Sequence, residues 1–520
     1  MRSVRACILL LLGAATAAAA DGYDILIRDA RVVDGSGNPW FRASVAVKDG
    51  RIAAIGPLPA ASAARVIDAG GRVLAPGFID AHTHVEGNIE RNPPAANFLL
   101  DGVTTVITGN CGSSELNLAA WFDKLDKLGL GINVASLVGH NSVRREVMGS
   151  ANRLAAPDEI RKMQALVDRA MREGAVGFST GLEYVPGVYS NTAEVVALAK
   201  AAAARGGVYT SHMRDEGIHE IEAITEAVNV GREAGMPVEI SHLKIDRRRV
   251  WGASDQSLAL IERFRREGVD VVADQYPYDR ASTNLGIRLP AWALADGKIK
   301  ERLADPPTRA KVAAEMKRNL ADMGEPDYAF ATVARFTPNS AYEGKTVPEI
   351  AAIQNRAPGV DGQIETIFDL MSAGGAGMIY RLMGEADIER IMRYPNTAIA
   401  SDGGVVEFGA GNPHPRSYGT NARVLGEYVR TRGVLTLEDA IRRMTSLPAR
   451  TFRLQDRGLV RAGMAADLVV FDPARVEDRA TFAKPHQYSQ GFDFVLVNGA
   501  IAVEDGKLTA AHGGRTLRHP

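Results

Sequence analysis

The stretch Val73–His84, V-L-A-P-G-F-I-D-A-H-T-H, decides how the chain is read. Val73 and Leu74 open an apolar β-type run, Pro76-Gly77 interrupt it, Phe78-Ile79 resume it, and two histidines close it one residue apart. Residues i and i+2 of an extended strand share a face, so His82 and His84 can converge where the strand gives way to a loop. In an α/β barrel that face carries the chemistry, and two imidazoles there begin a metal site. Two loop histidines without a role fit the same pattern, so the decision rests on further donors at matching strand ends.

Working outward, eight β-runs follow one another: 77–81, 104–108, 133–138, 175–179, 207–211, 237–241, 269–274 and 398–400. Amphipathic or Ala-rich stretches at 156–173, 192–204, 219–234 and 255–267 separate several of them. This alternation predicts an α/β chain with a (β/α)8 barrel over residues 76–454. A doubly wound sheet would carry a Gly-rich phosphate fingerprint after an early strand, and none is present. More than 100 residues separate the seventh run from the eighth. Within that interval about 298–349 reads as an insertion, either a lid over the site or surface decoration. Short strands with Gly, Asp and Pro turns fill residues 21–75, and similar strands, with Gly458–Val460 among them, fill 455–510. The two sets are expected to pair into one small β-sandwich.

The polar residues at the strand ends carry the functional reading. Run one ends in His82 and His84, run two in G-N-C-G with Cys111, run five in S-H with His212, run six in S-H-L-K with His242, and run eight in S-D-G-G with Asp402. Six metal-type donors at five predicted strand ends are hard to obtain by chance. Imidazole, thiolate and carboxylate together suit Zn²⁺, and six donors exceed what one catalytic zinc uses, which points to one or two adjacent ions. Such a centre, with a carboxylate beside its water, can hydrolyse an amide without a protein nucleophile.

This pattern resembles the amidohydrolase superfamily, and within it the N-acyl-D-amino-acid deacylases (D-aminoacylases), whose Cys after strand two matches Cys111. Gly139-His140, S-T-G-L-E-Y at 179–184, S-H-M-R-D-E-G at 211–217, Tyr276-Pro277-Tyr278 and H-P-R-S-Y-G-T at 414–420 look the same way, over about residues 23–506. The resemblance implies that His82, His84 and Asp402 form one metal position and Cys111, His212 and His242 the other, with Cys111 able to bridge. It implies Asp402 as general acid/base, Lys244 and Tyr276, with Arg416, as holders of the substrate's α-carboxylate, and Tyr184 as a partner near the scissile carbonyl. Arg288, after run seven, is placed near the side-chain pocket, where it can pair with an acidic D-residue or face solvent. His140 is read as packing, and Glu183 receives no role. A dipeptidase for peptides ending in a D-residue, another amidohydrolase reaction, and a non-catalytic binding barrel are the rivals.

Composition fits a soluble globular chain of 520 residues, 46% hydrophobic and 24% charged. A net charge of −1, from 61 Lys+Arg against 62 Asp+Glu, gives no basis for a nucleic-acid or anionic-membrane partner. The expected partner is a small N-acyl-D-amino acid. Arg2 and Arg5, the apolar run 6–15 and Ala17–Ala20 read as a secretory signal cleaved after Ala20. The run is too short to span a membrane, and Cys7 stands at its start, where a lipoprotein cysteine would follow it. Export to a bacterial periplasm is the expectation. The mature chain would then hold one cysteine, Cys111, and no internal disulfide.

Overall fold

The computed structural model describes residues 22–59 and 61–519. The expected signal segment, with Cys7, lies outside the described residues. Among them, no helix is long and apolar enough to cross a membrane.

The opening stretch crosses from one folding unit to another. Val73–Pro76 is a fully buried strand of a nine-stranded sheet, and after Gly77 the strand Phe78–Asp80 enters the barrel. Gly77 allows the crossing, because a Cβ there would lie 2.3 Å from the Thr104 side chain. The nine-stranded sheet takes strands from both ends of the chain. Val73–Pro76 pairs antiparallel with Leu468–Phe471, with Leu74 opposite Val470, and parallel with Tyr23–Val32. The sheet closes over a core that includes Ile27, Val32, Val45, Leu74, Leu468, Val470 and Leu496. The two β-runs expected at 23–33 are one strand with a register shift between Ile27 and Ala30. Gly458–Val460, expected as a strand, forms none; Val460 N–H donates only to the Asp34 carbonyl.

Eight parallel barrel strands appear where the β-runs were read. They are Phe78–Asp80, Val103–Thr108, Asn133–Ser136 continued by Val138–Gly139, Gly177–Gly181, Val208–His212, Val238–Ile240, Val271–Gln275 and Thr397–Ile399. The third strand pairs with the second through its first half and with the fourth through its second half. A parallel bridge between Thr83 and Gly403 joins strand one to strand eight and closes the ring. Helices Pro157–Arg172, Thr192–Ala203, Glu220–Ala234 and Ser254–Arg266 match the predicted amphipathic stretches and bury their apolar faces, for example Met163 and Val167, or Ile261 and Phe264.

The interval between strands seven and eight differs from expectation. It is not only a helical insertion at about 298–349. Strands Arg280–Asn284, Ala331–Arg335 and Gly377–Arg381 form a separate antiparallel sheet, with Gly377–Arg381 in the centre. Helices Ile299–Ala304, Pro306–Met323, Val347–Ile353 and Val360–Ser372 accompany it. The first of these strands, R-A-S-T-N, is polar and half-buried, so it lacks the apolar alternation that marks a strand in sequence.

The C-terminal tail also leaves the small sheet. Gly514 bridges Leu130, Leu517 N–H donates to the Val134 carbonyl, and Leu517 packs into a cluster with Ala135, Val176 and Phe452 beneath the barrel.

Candidate metal centre and substrate cavities

All six predicted donors meet at the mouth formed by the C-terminal ends of the barrel strands. Cys111 Sγ lies 3.3 Å from His82 Nε2, 3.5 Å from His242 Nε2 and 3.8 Å from His212 Nδ1. His212 Nδ1 and His242 Nε2 are 2.9 Å apart. Asp402 Oδ1 lies 3.1 Å from His84 Nε2 and 3.6 Å from His82 Nε2. Donor atoms of His82, His84 and Cys111, of Cys111, His212 and His242, and of His82, His242 and Asp402 each fall within 4.8 Å of one another. Cys111 therefore belongs to two triads, as a bridging ligand would.

The backbone is shaped to bring these atoms together. Cys111, His242 and Asp402 have φ of 52°, 36° and 50°, a region that non-glycine residues seldom occupy and that collects at functional sites. Each turn is tied down. Gly109 and Gly112 flank the Cys111 turn with φ of 78° and 75°, His242 N–H donates to Asp274 Oδ1 at 2.8 Å, and Asp402 N–H donates to the His82 carbonyl at 2.8 Å.

Three carboxylates complete the arrangement from behind. Asp274 Oδ2 lies 3.1 Å from His82 Nδ1 and Glu183 Oε2 lies 3.1 Å from His212 Nε2, while His242 Nδ1 has Lys244 Nζ at 2.7 Å as its hydrogen-bond partner, with Glu216 Oε1, 2.9 Å away, supplying charge but no hydrogen bond. A carboxylate on the outer nitrogen holds the proton there and leaves the inner nitrogen's lone pair free, which is how metal-binding histidines are oriented. The sequence reading missed this role for Asp274 and gave Glu183 none. Asp274 did close the seventh β-run, and that position was the available signal.

The cluster's own charges reveal its bias. Burial opposes charge on His212, but Glu216 and Cys111 outweigh it and hold the ring's pKa near 10. Burial likewise opposes charge on His82, and Asp274 and Cys111 raise its pKa well above the usual histidine range. Burial would push the Cys111 thiol up, yet His82 and His242 bring it well below its ordinary value. Burial also acts against an ionised Asp402, and Arg416 and His84 override it, keeping the carboxyl ionised. A thiolate and a carboxylate ringed by imidazoles is a donor set for a divalent ion of zinc type.

The expected substrate-binding residues border the same centre. Lys244 Nζ is buried 2.7 Å from Glu216 Oε2 and 2.7 Å from His242 Nδ1, and it lies 6.0 Å from the Tyr276 ring. The Tyr276 hydroxyl is buried without a hydrogen-bond partner. Tyr184 stacks near His212, ring centroids 4.5 Å apart, with its hydroxyl 3.0 Å from Thr283 Oγ1. Arg416 is turned toward Asp402, Nη1 to Oδ2 2.8 Å, with its guanidinium 4.7 Å over the Tyr276 ring. Arg288 is not a solvent-facing arginine. It is buried, 4.8 Å over the Tyr380 ring, with Nη1 3.2 Å from Met323 Sδ and Nε unpartnered. His140 stays out of the site, its Nε2 2.9 Å from Glu194.

Two cavities open from the centre, and a third, about 450 Å³, adjoins them along Glu183, Tyr184 and Arg288. A narrow one, about 30 Å³, is lined by Lys244, Tyr276, Arg288 and Tyr380. A wider one, about 320 Å³, is lined by His84, Cys111, Ser113, Arg145 and Asn284. Tyr184, His242, Thr283 and Asp402 border both.

Comparison with known proteins places the chain in a family. The Amidohydro_3 family model, described as an amidohydrolase family, matches residues 65–503. A D-aminoacylase of Alcaligenes xylosoxydans xylosoxydans is 36% identical over 95% of this chain and 97% of its own length. An N-acyl-D-glutamate deacylase of the same organism is 37% identical over 95% of this chain and 96% of its own. A crystal structure of N-acyl-D-glutamate deacylase from Bordetella bronchiseptica, complexed with zinc and a phosphonate mimic of the tetrahedral intermediate, superposes with a TM-score of 0.82. It is 35% identical and is covered completely by 96% of this chain. With relatives of that identity along nearly its whole length, the chain belongs to the amidohydrolase family, in its group of N-acyl-D-amino-acid deacylases.

Proposed function

We propose that the protein is a zinc-dependent deacylase that hydrolyses the amide of N-acyl-D-amino acids to a free D-amino acid and a carboxylic acid. The observation that carries this reading is the set of three histidines, His82, His212 and His242, whose inner nitrogens surround Cys111, the first two with their outer nitrogens on Asp274 and Glu183. His82, His84 and Asp402, with Cys111, His212 and His242, would hold one or two Zn²⁺. Bound there, zinc supplies Lewis acidity, which polarises a carbonyl and acidifies water.

The remaining steps belong to the protein's own groups. Lys244 and Tyr276 hold the α-carboxylate. The buried, unpartnered Tyr276 hydroxyl and the ammonium beside it are suited to an anion. Tyr184 donates toward the scissile carbonyl. Asp402, held ionised, accepts a proton from the attacking water and delivers it to the amine nitrogen as the C–N bond breaks. Arg416 orients Asp402 and sustains its charge.

The side-chain preference we assign is for an acidic D-residue. Arg288 borders the narrow cavity, and among the described residues no carboxylate lies within 4.0 Å of its guanidinium. A buried guanidinium of this kind gains most from a substrate carboxylate. We assign the protein to an exported, periplasmic location on the signal-like segment at 1–20.

Zinc analysis of the purified protein, with rates on N-acetyl-D- and N-acetyl-L-amino acids, tests the reaction. Turnover of D-derivatives alone, with zinc bound, is expected; L-selectivity or absence of metal would overturn it. N-acetyl-D-glutamate or D-aspartate should exceed N-acetyl-D-methionine, and Arg288→Leu should lose at least about ten-fold of that preference. A strong D-methionine preference retained in Arg288→Leu would sink the acidic assignment.

A further inference from the structure

The amide of a bound substrate must sit where the two cavities meet, between Tyr184, His242 and Asp402. The amino-acid half is assigned to the narrow side, with Lys244 and Tyr276, its side chain passing Arg288 toward the adjoining cavity of about 450 Å³. The acyl half therefore extends into the wider cavity, and about 320 Å³ far exceeds what an acetyl group fills. Beyond the donor ring that cavity is walled by Ser113, Arg145, Val185, Thr283 and Asn284, of which only Val185 is aliphatic. A long alkyl acyl chain would gain little there, because hydrophobic stabilisation scales with apolar area removed from water.

The charge of the wall is one-sided. Arg145 projects from helix His140–Met148, which follows the third barrel strand. Its Nη2 donates to the Val185 carbonyl at 3.2 Å, and among the described residues no carboxylate lies within 4.0 Å of it. The one acidic residue bordering this cavity is Asp402, already paired with Arg416. An acyl group bearing an ammonium, as in a dipeptide, would face a guanidinium and find no free counter-charge. An acyl group bearing a carboxylate would find Arg145.

We propose that the protein's preferred substrates are N-acyl-D-amino acids whose acyl group ends in a carboxylate, so that the substrate is the half-amide of a short dicarboxylic acid, selected by Arg145. This rests on the deacylase reading above. The reaction balances as simple hydrolysis. The water oxygen bonds to the acyl carbon, the C–N bond breaks, and the proton passes to the departing amine, giving a D-amino acid and a dicarboxylate. Arg145 is exposed, so its effect is that of a solvent-screened ion pair, about five-fold in kcat/KM.

The test uses the zinc-loaded enzyme and Arg145→Gln on N-acetyl, N-succinyl, N-pentanoyl and N-glycyl derivatives of one D-amino acid. N-Succinyl should exceed its neutral chain-length control, N-pentanoyl, by about five-fold, with N-glycyl the poorest. In Arg145→Gln the succinyl-to-pentanoyl ratio should fall toward one. Equal or better use of N-pentanoyl, best use of N-glycyl, or a ratio unchanged in Arg145→Gln would each overturn the proposal. If no N-acyl-D derivative is hydrolysed at all, the deacylase reading itself has failed, and that outcome is distinct from the others.

Discussion

Replacing Asp274 by Asn changes one atom and should reverse a tautomer. Asp274 Oδ1 accepts the His242 backbone N–H at 2.8 Å while Oδ2 faces His82 Nδ1 at 3.1 Å. In Asp274→Asn the amide oxygen must stay on the backbone N–H, the one donor fixed in place, so the amide NH2 turns to His82 Nδ1. That nitrogen then accepts, and the His82 proton moves to Nε2, the atom 3.3 Å from Cys111 Sγ. A ring protonated on its inner nitrogen offers no lone pair to a cation. Loss of such a supporting carboxylate costs about 10- to 100-fold in metal affinity, roughly 1.4–2.7 kcal/mol. The metal-free fold should weaken too, because Asp274 is the buried counter-charge that raises the His82 pKa there. Competition with a chromophoric chelator gives the zinc affinity, and thermal unfolding in EDTA gives the metal-free stability. Zinc affinity within two-fold of wild type would refute the tautomer argument, and unchanged metal-free stability would refute the ion pair.

Two other perturbations probe the same centre. Asp402→Asn should abolish turnover while leaving zinc largely bound, because Cys111 and the histidines remain; near-normal kcat would remove Asp402 from the proton path. Zinc affinity should rise with pH. The raised pKa values of His212, near 10, and His82 mean that the metal-free protein holds protons there at neutral pH. These protons must leave when zinc enters, which strengthens apparent affinity by about ten-fold per pH unit for each proton released. Chelator competition at about pH 6 and about pH 8 measures the slope, and a flat profile would contradict the assigned ligands.

The barrel and its six donors were legible because each donor directly follows a short apolar run, so chain order alone sets the strand ends side by side. His82 and Asp402 become neighbours because Thr83 and Gly403 close the ring. The supporting carboxylates were harder to see. Glu183 and Glu216 reach inward from loops, and nothing in a linear pattern says which outer nitrogen a loop carboxylate will meet. The antiparallel sheet between strands seven and eight escaped because R-A-S-T-N at 280–284 carries no apolar alternation and its pairing is set by a central strand at Gly377–Arg381. The orientation of Arg416 also depended on three dimensions. Its motif placed it near the site, but only the fold shows it turned onto Asp402.

The pairing of Leu74 with Val470 bears on how the molecule is made. The segment that feeds the first barrel strand has no lateral partner on that side until almost the whole polypeptide has emerged, and Leu517 closes the floor later still. Contacts so distant in sequence delay commitment to the final topology.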